Sequence, residues 1–287
     1  MASTTMRRRA AAATAFASVL TAGAVTADAQ APVQPATFQA SVAKGRAPAI
    51  VSTGVRPGVT RVVITSQATG DGREYELLRL KPGVTREAAA ARLANGGKEL
   101  TPNQIDQIAK DVGDFVDGGN ARRGAARKAV LDLAAGTYGV LDVTDARVRS
   151  TFFDVAGNPT GAAAPAPSAT IAMDEYSYGP SGTLPAGGTV RLTNAGEQLH
   201  MAIAFPARSA AAAKRLVATF KRGGRPAERL FGGPPSEPVA LVSPGAQVDV
   251  PIGPRKGSVV LACFWASKAS QDREHTRRGM VRTVKVR

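Results

Sequence analysis

Soft and borderline metal donors are scarce in this sequence, and they are not scattered. The only cysteine, Cys263, and the only two histidines, His200 and His275, all lie in the second half of the 287 residues. Met280 follows closely, so Cys263, His275 and Met280 share one segment, with eleven residues between the cysteine and the histidine. Two imidazoles, one thiolate and a weak axial thioether are the donor set of a mononuclear blue-copper site. A soft thiolate and two borderline imidazoles satisfy both copper oxidation states in a compromise geometry. Little then has to move when one electron comes or goes, and the thioether tunes the potential. A lone thiol in an oxidising compartment would otherwise be a liability.

Singly, each donor has a plainer account. Cys263 follows Val259-Val260-Leu261-Ala262 and reads as a buried strand thiol, and Met280 as a core residue. His275 sits among Arg273, Glu274, Arg277 and Arg278 like a solvated loop residue, and His200 between Leu199 and Met201 like a half-buried one.

The same scarcity excludes much else. One cysteine cannot make an intrachain disulfide or a cysteine-rich zinc or iron–sulfur site. Two histidines cannot supply a multicopper centre, and no nucleophile–base constellation is visible, so the chain is not expected to be an enzyme. Asp106, Asp111, Asp114 and Asp117 read as a solvated acidic face along or just past a helix, at spacings unlike a calcium loop.

Several elements must position the donors. Residues 1–29 have the layout of an export signal: Arg7-Arg8-Arg9, an uncharged small-residue run, then Ala27-Asp28-Ala29. The run is too short to span a membrane, so the expectation is a secreted or periplasmic, cell-envelope protein with no transmembrane segment after cleavage. The net charge of +15 becomes +13 without those residues, and residues 161–287 carry most of the excess. With aromatics at 5%, stacking platforms for nucleic acid are scarce. An acidic redox partner or an anionic envelope surface fits the charge better.

A Pro/Ala/Gly stretch at 157–167 reads as a linker. On either side the same order appears: short strands, a helical insertion, then three or more strands. Before the linker, strands are expected at 58–66, 74–80, 129–133, 137–143 and 148–155. Helices are expected at 86–94 after Thr85 and from Pro102 behind the capping box of Thr101 and Gln104. After it, strands are expected at 169–173, 189–193, 200–205, 239–242, 247–252, 259–264 and 281–286, with a helix at 209–221. The reading is all-β with helical insertions: two tandem Greek-key sandwiches over 36–156 and 168–287.

With these residues in view, the second half resembles a cupredoxin, the plastocyanin/azurin family. His275-Thr276-Arg277-Arg278-Gly279-Met280-Val281, running into Val284-Lys285-Val286, resembles the plastocyanin ending, and the turn from Asn194 to His200 resembles the first-histidine segment. The resemblance implies one type-1-like copper held by His200, Cys263, His275 and Met280, with His275 as the exposed electron port. Phe264 and Trp265 are the candidates for a hydrophobic wall. The first half would be a copper-free relative. Two departures stand out: the eleven-residue spacing is longer than in electron-carrying members, and Met201 stands where the family commonly has Asn. The function implied is one-electron transfer or copper carriage; the rival is a copper-free envelope interaction module on the same two sandwiches.

Overall fold

Phe38, Ala40 and Val42 alternate inward along the first strand while their neighbours face outward, the period-2 pattern of a half-buried strand. The computed structural model describes residues 33–70, 72–179, 183–253 and 255–287. The expected export signal lies outside them.

In the first half the elements run β1 (Ala36–Val42), β2 (Ala49–Ile50), β3 (Gly58–Ser66), β4 (Arg73–Leu80), α1 (Arg86–Ala94), α2 (Pro102–Asp111), β5 (Gly113–Ala121), β6 (Arg127–Leu133), β7 (Gly136–Asp142) and β8 (Arg149–Val155). The second half continues with β9 (Ala169–Asp174), β10 (Ser177–Gly179), β11 (Thr183–Leu184), β12 (Thr189–Asn194), β13 (His200–Ala207), α3 (Ala210–Lys221), β14 (Ser236–Val242), β15 (Gln247–Pro251), β16 (Gly257–Ala262), α4 (His275–Arg278) and β17 (Val281–Val286).

Pairing makes the two halves alike. The first has sheets ordered β2-β1-β3-β6 and β5-β4-β7-β8; the second has β10-β9-β12-β15 and β14-β13-β16-β17-β11. In each half the first strand lies parallel to the third or fourth and antiparallel to the short second one. The helical insertion comes at the equivalent place, between β4 and β5 and between β13 and β14. These are two tandem Greek-key sandwiches, as the sequence implies. Val130 of β6 pairs with Asp249 of β15, so one eight-stranded sheet runs through both halves, and the buried cluster from Phe38 to Val286 is continuous. Residues 157–167 form neither helix nor strand.

Both first-half helices start where their caps require. Thr85 accepts from the amide of Ala88, and Thr101 and Gln104 complete the capping box behind Pro102. The acidic run departs from its sequence reading. The helix stops at Asp111, and Asp114 and Asp117 belong to β5. Asp117 is fully buried, accepting from Tyr75 Oη at 2.6 Å and paired with Arg127 at 3.5 Å. It is a core residue, not part of a solvated face.

Candidate metal centre

Strand pairing carries the donors to one end of the second sandwich. The Asn194 side chain, fully buried, shapes the turn before His200. Its Oδ1 accepts from the Gly196 amide, and its Nδ2 donates to the carbonyls of Gln198 (2.7 Å) and Val242 (2.8 Å). His200 then opens β13. Cys263 directly follows β16, the neighbour of β13, and Met280 directly precedes β17, the neighbour of β16. The Cys263 amide donates to the Met280 carbonyl at 3.1 Å, which closes the base of the loop.

The eleven intervening residues fold back on themselves. The His275 amide donates to the Trp265 carbonyl and the Thr276 amide to the Cys263 carbonyl, each at 2.9 Å. His275 is thereby returned to the thiol, and residues 266–274 form a side excursion. Gln271 and Asp272, both left-handed (φ 58° and 53°), turn it back. α4 then ends at Gly279, whose φ of 120° is strained for any residue with a side chain, and a Cβ there would press on the Tyr176 carbonyl at 3.3 Å.

The resulting geometry is tight. The two histidine Nδ1 atoms lie 3.1 Å apart, and Cys263 Sγ lies 3.5 Å from Nδ1 of His275. All three donor atoms fall within 4.8 Å of one another. His200, Cys263, His275 and Met280 are each 0% exposed. Such separations suit one small ion, because imidazole nitrogen and thiolate sulfur bind zinc-sized metals at roughly 2.0–2.1 and 2.3 Å. Both Nε2 atoms lack a hydrogen-bond partner among the described residues, and Glu175 Oε1, 3.8 Å from Nε2 of His200, is too far to accept.

Burial sets the protonation. It holds both imidazoles down to about 4; for His275 the neighbouring His200 adds to the effect. Both rings are therefore neutral near pH 7 and have lone pairs to offer. Burial pushes the Cys263 thiol up to about 12, while the backbone amides of Met201, 3.4 Å from Sγ, and of Trp265 act to lower it. Those two amides favour a thiolate once a cation is present. The donor set, its closeness and its neutral imidazoles fit copper.

Two expectations are corrected here. His275 is not an exposed port: Tyr176 stands edge-on to it at 5.1 Å and 82°, and Arg278 lies 4.8 Å from the centre of the Tyr176 ring. Phe264 is not a wall beside the thiol, for it packs into the cluster under α3 against Phe205 and Phe220. Trp265 does join the core that contains Cys263 and Met280.

Tyr176 was absent from the sequence reading, which named Asn194 and Met201 without a hydrogen-bonding role for either. Asn194, at the end of a strand before a Gly-containing turn, carried a usable signal; Tyr176 carried none. Met201 contributes through its main chain, which explains how a residue other than Asn can stand there.

Neither a protein-family model nor a curated protein matches this chain. Solved structures do. The chain is similar to dithionite-reduced auracyanin from Roseiflexus castenholzii, at 18% identity and a TM-score of 0.28 over 43% of this chain and 99% of that one. It is also similar to auracyanin A, a "blue" copper protein from Chloroflexus aurantiacus, at 17% and 0.24 over 41% and 99%. Copper nitrite reductase from Nitrosomonas europaea matches at 11% and 0.25, over 88% of this chain and 94% of that one. At TM-scores this low, strand pairing and donor geometry carry the fold and the site.

Proposed function

We propose that this chain is an exported cupredoxin-like protein that binds one type-1-like copper through His200, Cys263, His275 and Met280. Its role would be one-electron transfer or copper carriage. The observation behind the reading is the buried cluster itself, two neutral imidazoles facing each other at 3.1 Å with a thiol 3.5 Å away. Copper bound there would supply a one-electron redox couple.

The chain's own residues do the rest. His200 and His275 are uncharged, so no imidazolium has to be deprotonated and only the Cys263 proton must leave when metal enters. The amides of Met201 and Trp265 hold the thiolate in place. Tyr176 and Arg278 cover the His275 edge and exclude water from it. Arg273, Arg277 and Arg278 lie beside His275 in the sequence together with Asp272 and Glu274, and it is the excess of basic residues over 161–287 as a whole that supports an acidic partner.

Cycling the copper-loaded full chain between ascorbate and ferricyanide tests the reading. Electron transfer predicts reversible bleaching with the metal retained; carriage predicts that the reduced metal passes to a Cu(I) chelator. A chain that takes up no stoichiometric copper contradicts both.

A further inference from the structure

The donor-free first half reaches the metal loop. Trp265 Nε1 donates to Oδ1 of Asp106 on α2 at 3.0 Å, across 159 residues of sequence. The Lys268 amide donates to Oδ1 of Asn103 on the same helix at 2.7 Å. Asn103 and Asp106 are three residues apart and so share a helix face, and both side chains are half-buried. The excursion that makes the Cys263–His275 spacing so long is therefore the part of the loop that meets α2.

Trp265 is the residue through which this contact reaches the donors. Its carbonyl accepts from the His275 amide at 2.9 Å, and its amide is directed at Cys263 Sγ. Its indole, 7% exposed, is packed in the core and anchored by Asp106. One side chain from the first half thus fixes a residue bonded to two of the three clustered donors.

We propose that Asp106, with Asn103 beside it, is a positioning residue that sets the His275–Cys263 geometry through Trp265. The first half then acts as a clamp on the long Cys263–His275 loop. The spectroscopic consequence rests on the copper reading above; the hydrogen-bonded clamp does not.

The test uses the full chain with Asp106→Ala, Asp106→Asn and Trp265→Phe, and with Asp111→Ala as a control on the same helix. In the metal-free protein, hydrogen exchange at the His275 amide should rise by about tenfold in Asp106→Ala and Trp265→Phe, as local opening becomes easier. Exchange in the strands of the first half should stay unchanged. Asp106→Asn keeps an acceptor oxygen and should behave as wild type, and the Asp106→Ala/Trp265→Phe double variant should add nothing to either single change. In the copper-loaded protein the same two single variants should shift the thiolate-to-copper band and the copper hyperfine splitting, with Asp106→Asn unshifted. Equal exchange and spectra in Asp106→Ala and wild type would overturn the proposal, as would Asp106→Asn matching Asp106→Ala. A wild type that binds no copper sinks the functional reading alone, because the exchange arm still decides the clamp.

Discussion

The Nδ1 atoms of His200 and His275 stand 3.1 Å apart, although one residue opens β13 and the other opens α4, 75 positions later. Both imidazoles are fully buried, and their Nε2 atoms lack partners among the described residues. Two buried rings this close cannot both be charged.

That relationship predicts an acid limb in the stability of the metal-free protein. Burial lowers each imidazole from its ordinary 6.5 to about 4. Between those values the unfolded chain binds more protons than the folded one. The histidine contribution is therefore complete above about pH 6.5 and is lost as pH falls toward about 4. The loss is on the order of 3 kcal/mol per histidine at most. Urea midpoints measured from pH 7 to 4 should fall, and fall less in His275→Gln. A midpoint that is flat in wild type across this window contradicts the burial of neutral rings.

Tyr176 packs against the His275 ring of the pair. Its ring meets His275 edge-on, Gln198 Nε2 donates to its hydroxyl at 3.1 Å, and its backbone is left-handed at φ 62°. Tyr176→Ala should speed copper capture by an external chelator by about 3- to 10-fold, the kinetic equivalent of the ~0.5–1.5 kcal/mol of an edge-on aromatic contact. The thiolate-to-copper band should keep its position. An unchanged capture rate would mean that metal leaves by another route.

Met280 is fully buried in the core and immediately precedes β17 in the chain. Replacing it with Leu, similar in volume, should cost the metal-free protein less than ~1.5 kcal/mol. Met280→Gln brings a harder oxygen donor that favours Cu(II), so the potential of the copper-loaded chain should fall. Voltammetry checks this; identical potentials in Met280→Gln and wild type would remove Met280 from the donor set.

In the first half, Arg73 (4% exposed) donates through Nη2 to Oδ2 of fully buried Asp142 at 2.6 Å and to Asp145 at 2.8 Å. Arg73→Met strands the Asp142 carboxylate and should destabilise the fold by about 3–5 kcal/mol in denaturant titrations. Arg73→Met/Asp142→Leu should recover most of that loss. No recovery would mean that the pair stabilises more than its apolar replacement.

The donors were legible because they were rare: every histidine and cysteine of the chain lies in one cluster. The first-half helices were legible from their caps at Thr85 and Thr101, where a side chain marks the first turn locally. β5 was not, because its Gly118, Gly119 and Asp117 are poor strand formers whose place is fixed by pairing with β4 and by the buried bond to Tyr75. β2, β10 and β11, at two or three residues each, are too short to show alternation. The burial of His275 depends on Tyr176, and the bracing of Trp265 on Asp106; residues about 100 and 159 positions away leave no local pattern.

The most direct test is titration of the full chain with Cu(II) under non-reducing conditions, following visible absorption and paramagnetic resonance. A type-1-like site held by Cys263 predicts an intense thiolate-to-copper band that saturates at one equivalent and disappears in Cys263→Ser. A wild-type protein that stays colourless, or a band that survives Cys263→Ser, would contradict it.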